Sequence, residues 1–569
     1  MKVVIVDGYT DEPAGLGVPP YLDVYARYVA GAVWCKKPGA DIRYFTVDQV
    51  RENFDLFVKT ASRAELVIFI SGVVVPGKYL GGEPISLEEL IRWPSLLKKP
   101  VKILGGPAAR FGFGVEGGRI AKAPKYFEAY FDIVVRGDLE VVVADLLENN
   151  LRVEAVDPFV RRESYSDISM YAVKGARIVT QHPNHGINLI AEIETFRGCP
   201  RWITGGCSFC IEPQYGPVKY RAVDDILMEV QALYSFGVRC FRLGRQPDIL
   251  AYMARGANEV EFPEPNPSAL KRLFEGIRRV APNLETLHID NVNPGTIAHH
   301  PETSKEALKI IVRYHTPGDV AAMGIESADP AVIKANNLKA SPEDSFLAIK
   351  IVNEVGRERG TNGMPELLPG INFVAGLLGE TAKTYKLNML FLKRILDSGL
   401  LVRRVNIRQV LPLPGTRMWR VGVSIMRKNK WYFKKFKRMV REKFDHIMLQ
   451  RIVPPKTILR GLYVEGYEGK YSLARQPASY PLLTYVPIRL PRYTKLDIIV
   501  LDYGYRSVKG LPYPLNVNTA PPHALSLVPG LTPNKVKEIL LRRPFNSLEE
   551  VKSIAGPEAL NYLSVKGLP

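Results

Sequence analysis

The stretch Cys199-Pro-Arg-Trp-Ile-Thr-Gly-Gly-Cys207-Ser-Phe-Cys210 contains three of the five cysteines of this 569-residue chain. It follows a run, Ile187–Phe196, that reads as a β-strand. Three thiolates on one loop can bind three irons of a 4Fe–4S cluster. Because such clusters are normally held by four cysteines, the fourth iron would be left open to another ligand.

Two other interpretations of these cysteines stay open. A structural zinc site would need four ligands, and the remaining cysteines, Cys35 and Cys240, lie outside the loop in no paired spacing. A chance group of unreactive thiols is the second. Cys240 falls within an expected strand, which is typical of a buried structural thiol. The α/β repeat that follows the loop favours the iron–sulfur interpretation.

Residues 187–416 alternate apolar strands with amphipathic helices, which predicts parallel β/α packing. Six units are too few for a closed eightfold barrel. The chemistry of β/α barrels lies at the carboxyl ends of the strands, so we expect the cysteine loop at that face. The strands are expected at Ile187–Phe196, Val238–Leu243, Leu284–Asp290, Val320–Ser327, Ile371–Leu378 and Val405–Leu411.

The cysteine loop resembles that of the radical S-adenosylmethionine (SAM) superfamily. The usual spacing there is Cys-x3-Cys-x2-Cys; here the first gap is seven residues, the second matches, and Phe209 fills a position that is usually aromatic. The resemblance implies an open (β/α)6 partial TIM barrel. It also implies a 4Fe–4S cluster on Cys199, Cys207 and Cys210, with SAM on the open iron. An electron from the cluster then cleaves SAM to a 5′-deoxyadenosyl radical.

Three later segments agree with the resemblance. Met323-Gly324-Ile325-Glu326-Ser327 resembles the family's Gly-x-Glu-Ser segment, and Gly376-Leu-Leu-Gly379-Glu-Thr resembles its Gly-x-Pro-Gly-Glu-Thr turn. Leu413-Pro-Gly-Thr resembles the Pro-Gly-Thr that closes the sixth strand. By resemblance, the residues that seat SAM are Phe209, Gly324, Glu326, Ser327, Gly376 and Gly379.

The chain departs from the family after the second strand. The usual Gly-Gly-Glu is replaced by Gly244-Arg245-Gln246. Arg245 and Gln246 are candidates to contact SAM instead, and an ion pair from the arginine to a helix is the alternative. Asp290 and Asn291 end the third strand and face either the substrate or a turn.

Residues 1–150 alternate strands and helices and predict a Rossmann-like, doubly wound domain. In position this domain resembles the cobalamin-binding-like domain that precedes many radical SAM cores. The family's cobalt-ligating motif contains a histidine, and the corresponding turn, Asp7–Gly15, has none. We therefore do not expect cobalamin as a cofactor, although binding without a protein ligand to cobalt stays an alternative. Residues 151–186 are expected to be a linker.

Residues 417–450 form a basic arm. Between Arg417 and Lys443 there are eleven Lys or Arg residues, one acid and interleaved aromatic residues. Cations that hold phosphates and rings that stack on bases are typical of nucleic-acid binding; aromatic packing on the barrel is the alternative. Residues 456–512 predict a small β-barrel that resembles the TRAM domain, an RNA-binding appendage of tRNA methylthiotransferases.

Residues 513–569 resemble a helix-hairpin-helix module, with a first helix opening at Leu515–Ala520 and a hairpin at Val528–Thr532. Such a hairpin offers backbone N–H groups to a phosphate at a helix N-terminus. Some modules of this type bind only protein. The expected nucleic-acid contacts are Gly530, Lys535, Lys537, Arg542 and Arg543.

The net charge of +19 and the pI near 9.5 favour a polyanionic partner. A basic proteome or surface ion pairs at high temperature would explain the charge without such a partner. Few, irregularly spaced cysteines indicate a reducing compartment. No signal peptide and no apolar run long enough for a membrane span is visible, so we expect a cytoplasmic protein that makes no membrane contact.

These observations predict a radical SAM enzyme that modifies a nucleic acid, with tRNA methylation or methylthiolation as examples. SAM, RNA and a ferredoxin- or flavodoxin-like electron donor are its expected partners. One alternative is a radical SAM enzyme acting on a protein or small molecule, with the tail as a docking module. Another is a non-catalytic nucleic-acid-binding protein with a structural cluster.

Overall fold

A parallel β-sheet covered on both faces makes up most of the first 150 residues. The computed structural model describes residues 1–10, 16–73, 80–115 and 117–568. Side chains of β1 alternate between two cores, with Val3 and Ile5 in one and Val4 and Val6 in the other. The sheet order is β3-β1-β4-β5-β6. The strands of this region are β1 (Lys2–Asp7), β2 (Tyr21–Leu22), β3 (Asp41–Thr46), β4 (Leu66–Ile70), β5 (Val101–Gly105) and β6 (Ile133–Val134).

Helices flank this sheet and continue into the following segment. They are α1 (Val24–Lys36), α2 (Val47–Glu52), α3 (Phe54–Ala61), α4 (Leu87–Ser95), α5 (Pro107–Phe111), α6 (Leu139–Glu148) and α7 (Ser169–Gly175).

The central region is a curved wall of parallel strands. They lie in the order β2-β7-β10-β11 and β12-β13-β14, and a bridge between Asn291 and Ala322 joins the two sheets. Each strand predicted for residues 187–416 overlaps one of them. The wall strands that follow β2 are β7 (Ile190–Glu194), β10 (Cys240–Gly244), β11 (Thr286–Ile289), β12 (Asp319–Glu326), β13 (Leu367–Ala375) and β14 (Arg404–Gln409). The short strands β8 (Phe196–Arg197) and β9 (Lys219–Tyr220) form a separate antiparallel pair.

Helices follow these strands on the outside of the wall. Strand β13 begins at Leu367 rather than at the predicted Ile371, because Pro369 and Gly370 do not interrupt it: the carbonyl of Pro369 accepts a hydrogen bond from the Arg403 N–H at 2.8 Å. The helices are α8 (Val223–Ser235), α9 (Pro267–Val280), α10 (Pro294–His299), α11 (Pro301–Tyr314), α12 (Pro330–Asn336), α13 (Pro342–Gly356) and α14 (Ala382–Asp397).

The amino-terminal region and the expected linker are built into this wall. Strand β2 pairs in parallel with β7, so the first 150 residues contribute to a second sheet. Helices α1 and α7 cross closely: a Cβ at Gly31 would lie 1.8 Å from the carbonyl oxygen of Tyr171, and one at Gly175 would lie 1.8 Å from that of Arg27. The segment 151–186 is therefore packed structure rather than a free linker.

The basic arm and a closed β-barrel follow. The arm consists of α15 (Arg417–Val421), α16 (Ser424–Lys428), α17 (Lys430–Val440) and α18 (His446–Ile452). The barrel closes in the order β15-β16-β17-β19-β18. Its strands are β15 (Ile458–Glu468), β16 (Tyr471–Arg475), β17 (Leu483–Val486), β18 (Lys495–Tyr503) and β19 (Ser507–Pro512).

The carboxyl-terminal segment is a group of short helices. The sequence predicted a helix opening at Leu515–Ala520, but Leu515–Asn516 is a strand that pairs with Leu563–Ser564. The helix begins only at Pro522, because Pro521 and Pro522 set its first turn. The elements are β20 (Leu515–Asn516), α19 (Pro522–Leu525), α20 (Pro533–Arg542), α21 (Leu548–Ala555), α22 (Pro557–Leu560) and β21 (Leu563–Ser564).

Candidate active site

The three cysteines of the loop line one cavity. Cys199, Cys207 and Cys210 lie beyond the carboxyl end of β7, around a space of about 50 Å³ that we call the cysteine cavity. Each is partly accessible. Burial raises the pKa of Cys199 to about 12 and that of Cys210 well above its ordinary value, and the neighbouring thiols add to both shifts. Thiolates here would need nearby positive charge.

Two cations supply positive charge beside these thiols. Nη1 of Arg201 donates a hydrogen bond to Sγ of Cys207 at 3.0 Å, and Nε of the same guanidinium lies 2.5 Å from Glu261. Lys339 lines the cysteine cavity. Burial opposes the charge of Lys339, but Glu326 and the thiols outweigh it and raise the pKa of this ammonium. The positive charges of Arg201 and Lys339 together favour the thiolate form of the cysteines.

A second cavity of about 200 Å³ adjoins the first at the carboxyl ends of β12, β13 and β14. We call it the mouth cavity. Cys207, Cys210 and Lys339 line both spaces, so a molecule in the mouth cavity would touch the cysteines. Its other lining residues include Phe209, Asn291, Gly324, Glu326, Asn372, Asn406, Arg408 and Tyr480.

Gly324 makes room for the charged pair at the cavity wall. A Cβ at Gly324 would lie 2.1 Å from Oε1 of Glu326 and 2.6 Å from Nζ of Lys339. The register of β12 against β13 shifts between Gly324 and Glu326, and Glu326 adopts φ +63°. Burial raises the pKa of Glu326 to about 7, although Lys339 and Arg408 oppose the shift. The carboxyl group therefore titrates near neutral pH.

The turn after β13 is linked to the cysteine loop by hydrogen bonds through Asn336. Glu380 accepts hydrogen bonds from the Gly376 N–H and the Tyr385 hydroxyl, both at 2.7 Å. Nδ2 of Asn336 donates to the Leu378 carbonyl at 2.9 Å, and its Oδ1 accepts from the hydroxyl of Ser208 at 2.7 Å.

Gly376 and Gly379 are left-handed, with φ +92° and +80°. Both lie outside the set of residues lining the mouth cavity. They shape the turn, and their contact with SAM stays a prediction. The side chain of Thr381 caps α14 by accepting a hydrogen bond from a backbone N–H of that helix.

Comparison with known proteins identifies one domain of the chain. The model of the radical SAM superfamily matches residues 193–375, which include the three cysteines and the Gly324–Ser327 segment. This chain contains a radical SAM superfamily domain. The family of this domain implies a 4Fe–4S cluster and SAM.

Archaeal relatives cover nearly the whole chain. An uncharacterized protein of Methanocaldococcus jannaschii is 46% identical over 521 residues, 90% of this chain and 93% of that protein. An uncharacterized protein of Archaeoglobus fulgidus is 42% identical over 576 residues, 100% of each.

Two solved radical SAM structures are similar to this chain at low sequence identity. The methyltransferase TsrM from Kitasatospora setae, with tryptophan and a SAM analogue bound, has a TM-score of 0.49 and 13% identity, covering 73% of this chain and 75% of that chain. The cobalamin-dependent SAM radical enzyme OxsB has a TM-score of 0.45 and 13% identity, covering 76% of this chain and 56% of that chain. The absence of cobalamin from this protein stays a prediction. It depends on the turn Asp7–Gly15, of which residues 11–15 lie outside the described residues.

Three of the predicted SAM contacts make hydrogen bonds or ion pairs with other groups of the protein. Nη1 of Arg245 lies 3.5 Å from Asp23 at the start of α1, and its Nη2 donates to the Tyr25 hydroxyl at 2.8 Å. This is the ion pair to a helix that was the alternative. Gln246 donates to the Leu243 carbonyl, and Ser327 accepts from a backbone N–H two residues on. Their roles as SAM contacts stay predictions, which these placements do not favour.

The predicted nucleic-acid contacts of the tail differ in their availability. Gly530 has φ +86° in the hairpin before α20. Nζ of Lys535 donates to the carbonyls of Gly530 and Ala555 at 3.2 and 3.0 Å, and Arg543 donates to a backbone carbonyl. Arg542 is exposed in an ion pair with a neighbouring glutamate at 2.7 Å. Lys537 is exposed, so it is the contact best placed for phosphate.

Helix α17 divides its aromatic residues between two faces. Phe433 and Phe436 are buried, and Phe436 packs edge-on against Phe373 of β13 with ring centroids 5.6 Å apart. Trp431 is 62% exposed, and Nζ of Lys435 lies 4.9 Å from its ring centroid. Packing on the barrel thus explains one face, and a basic, aromatic face is left towards solvent.

Sequence reasoning missed several residues of the site. Arg201 lies inside the quoted loop but matched no motif. Asn372 carries a signal, since it is a polar residue within an otherwise apolar parallel strand. Asn406 stands out less, because β14 also contains Arg404, Arg408 and Gln409. Lys339 and Tyr480 carry none, because only the tertiary fold brings them to the cavities. Asn291 lies at the mouth cavity, one of the two positions considered for it.

The described residues contain neither a ready-made site for a single metal ion nor a membrane-spanning helix. Within the described ranges, no group of three or more His, Cys, Asp or Glu side chains, the loop cysteines included, is placed to hold one metal ion. A 4Fe–4S cluster differs, since each cysteine binds its own iron. In the same part of the chain, no helix has both the length and the apolar character needed to cross a membrane.

Proposed function

We propose that this protein is a radical SAM enzyme that cleaves SAM with a 4Fe–4S cluster and modifies RNA, with tRNA as the leading candidate. The proposed chemistry is supported by the placement of three thiols around one cavity. A second cavity, with charged and amide side chains among its lining residues, adjoins it at the strand ends. A ligand on the open iron would lie in the second cavity.

The donor set fits the cluster. Three cysteines converge without a fourth, and Arg201 and Lys339 offset the charge of thiolates in a largely buried place. When bound, the cluster and SAM would supply one-electron cleavage of SAM to a 5′-deoxyadenosyl radical. The electron would come from a ferredoxin- or flavodoxin-like partner.

The residues around the mouth cavity support roles in holding SAM. Glu326 offers a carboxylate to the cationic SAM, and its pKa near 7 allows ionisation at neutral pH. Lys339 suits a carboxylate such as that of the methionine portion. Phe209 supplies an apolar wall between two cysteines, suited to an adenine ring. The asparagines on β13 and β14 are left for the substrate.

Charge and exposed rings support RNA as the substrate. The net charge is +19, and the exposed face of α17 presents lysines beside Trp431. Stacking of bases on such rings, with cations on the phosphates, is how single-stranded nucleic acid is held. The closed β-barrel, which resembles a TRAM domain, and the hairpin before α20 are further candidate contacts.

Two measurements test the proposal. Anaerobically reconstituted protein with SAM and a reductant should release 5′-deoxyadenosine, and the absence of this product would contradict the chemistry. Mass spectrometry of nucleosides from a strain lacking the gene should show one modified nucleoside missing. Unchanged RNA with active SAM cleavage would favour a protein or small-molecule substrate instead.

A further inference from the structure

A second group of charged residues lies between the barrel wall and the β-barrel. A cavity of about 280 Å³ is enclosed by the start of β14, helix α18 and strands of the β-barrel. We call it the arginine pocket. Its charged and aromatic lining residues are Arg403, Arg404, Asp445, Arg475, Tyr505 and Arg506.

Carboxylates do not balance these arginines. Arg475 is paired with Glu465, and Asp445 is paired with Arg441 and lies 4.0 Å from Nε of Arg506. Asp290 also acts on Arg404 but is paired with Arg242, so in this part of the described chain six guanidinium groups meet three carboxylates. The surplus is about three positive charges in a confined space, a setting that favours a bound anion.

Two of the arginines have unused donors. Nη2 of Arg403 donates to the Tyr480 carbonyl at 2.9 Å, and the guanidinium of Arg404 lies 4.3 Å from the centroid of the Tyr480 ring. The Nε atoms of both are buried without a hydrogen-bond partner. Burial, with Arg404 and Arg506 nearby, lowers the pKa of Arg403 to about 9. An anion in the pocket would accept hydrogen bonds from these Nε atoms and would stabilise the charged form of Arg403.

The arginine pocket and the mouth cavity lie along the same face of strand β14. Arg404, Asn406 and Arg408 occupy alternate positions on β14 and so share a face. Asn406 and Arg408 line the mouth cavity, while Arg404 lines the pocket. At about 3.3 Å per residue, Arg404 and Arg408 are separated by about 13 Å along the strand. Tyr480 lies beside both spaces.

We propose that the arginine pocket binds a backbone phosphate of the RNA whose neighbouring nucleotide enters the mouth cavity. This inference rests on the proposed function, since it names how that substrate is held. Guanidinium groups match phosphate oxygens with paired hydrogen bonds. The ring of Tyr505, 55% exposed at the edge of the pocket, is placed to stack on an adjacent base.

Binding of a ten-residue oligouridylate at several salt concentrations tests the pocket. Arg506→Gln changes a side chain that is 44% exposed, so the fold should survive, and Arg403→Gln changes the buried donor. Each should weaken binding about tenfold at low salt and reduce the slope of log affinity against log salt by about 0.7. Arg489→Gln, an exposed arginine of the same β-barrel outside the pocket, should change neither the affinity nor the slope by comparable amounts.

The outcomes separate this inference from the proposed function. Equal binding by wild type and both pocket variants, or equal losses in Arg489→Gln, would overturn the phosphate assignment. So would pocket-dependent binding of polyglutamate as tight as that of oligouridylate, which would indicate an acidic peptide. Release of 5′-deoxyadenosine without RNA should be as in wild type for Arg489→Gln. If wild type released none while the salt slopes behaved as expected, the proposed chemistry would fall and the phosphate site would remain.

Discussion

Nη1 of Arg201 lies 3.0 Å from Sγ of Cys207, and this contact places a guanidinium against a predicted cluster ligand. The ion pair with Glu261 at 2.5 Å holds that guanidinium in place. Hydrogen bonds to sulfur and local charge are among the factors that set the reduction potential of an iron–sulfur cluster. Positive charge stabilises the reduced, more negative state, so Arg201 should raise the potential.

Arg201→Gln should therefore lower the reduction potential of the cluster. A change of about 1.4 kcal/mol corresponds to about 59 mV for one electron, and we expect a fall on the order of 50 mV. Arg201→Lys, which keeps the charge, should shift the potential less. Redox titration followed by electron paramagnetic resonance measures both. A potential that does not move in Arg201→Gln would show that the contact is lost when the cluster forms.

Replacing any cysteine of the loop with alanine should abolish the cluster. Cys199→Ala, Cys207→Ala and Cys210→Ala should each lose most iron and acid-labile sulfide after anaerobic reconstitution. Cys35→Ala is the matched control, because Cys35 is partly exposed at the end of α1 and far from the loop in sequence. Full iron content in one of the three loop variants would remove that cysteine from the ligand set.

The sequence predicted the positions of elements better than the contacts between them. Apolar runs predict parallel strands because both faces of such a sheet are buried, and each strand of the central wall was found. Tyr480 shows the limit. It lies just before β17 in the predicted β-barrel region, yet its hydroxyl donates to Asp290 of the central wall at 2.6 Å. Local pattern holds no information on such a long-range contact.

The candidate site divides in the same way. The cysteine loop and Glu326 could be predicted because a motif on one strand end fixes them. Lys339 follows α12 without a motif, and it reaches the cavities only because Gly324 leaves space for its ammonium. Arg245 was a candidate for SAM, but the Asp23 carboxylate, distant in sequence, pairs with it.

The affinity for SAM should depend on pH through Glu326. Burial raises the pKa of this carboxyl group to about 7. Cationic SAM favours the ionised form, so binding should release a proton and tighten as pH rises from about 6 to 7, by at most about tenfold per unit. Glu326→Gln should bind more weakly and lose this dependence. Anaerobic calorimetry at several pH values measures the SAM affinity of both proteins. If the affinity of Glu326→Gln depended on pH as that of wild type does, the proton released on binding would come from another group.

Gly324→Ala should weaken SAM binding with little loss of stability. The added Cβ would approach Glu326 and Lys339 within 2.1 and 2.6 Å. Both contacts are to ends of flexible side chains, which can move away, so the cost to folding should be at the low end of about 1–3 kcal/mol. The displaced side chains would no longer meet SAM. Gly39→Ala, with nothing within 4 Å, is the control for both thermal unfolding and SAM affinity.

Trp431 on α17 should contribute to RNA binding by stacking rather than by charge. The ring is 62% exposed, and nothing in the packing of α17 requires it, because Phe433 and Phe436 provide the buried face. Trp431→Ala should cost about 1–3 kcal/mol of binding free energy per stacked base, which is roughly fivefold or more in Kd. The salt dependence of binding should stay as in wild type, since no charge is removed.

Lys435→Gln separates the two contributions on the same helix. It should reduce the slope of log affinity against log salt by about 0.7, because one phosphate contact is lost. Phe159→Ala, which removes an aromatic side chain that is 63% exposed in the segment before β7, should bind RNA like wild type. If Trp431→Ala also bound RNA like wild type while Lys435→Gln did not, α17 would act only as a cationic surface, and the bases would have to be held elsewhere.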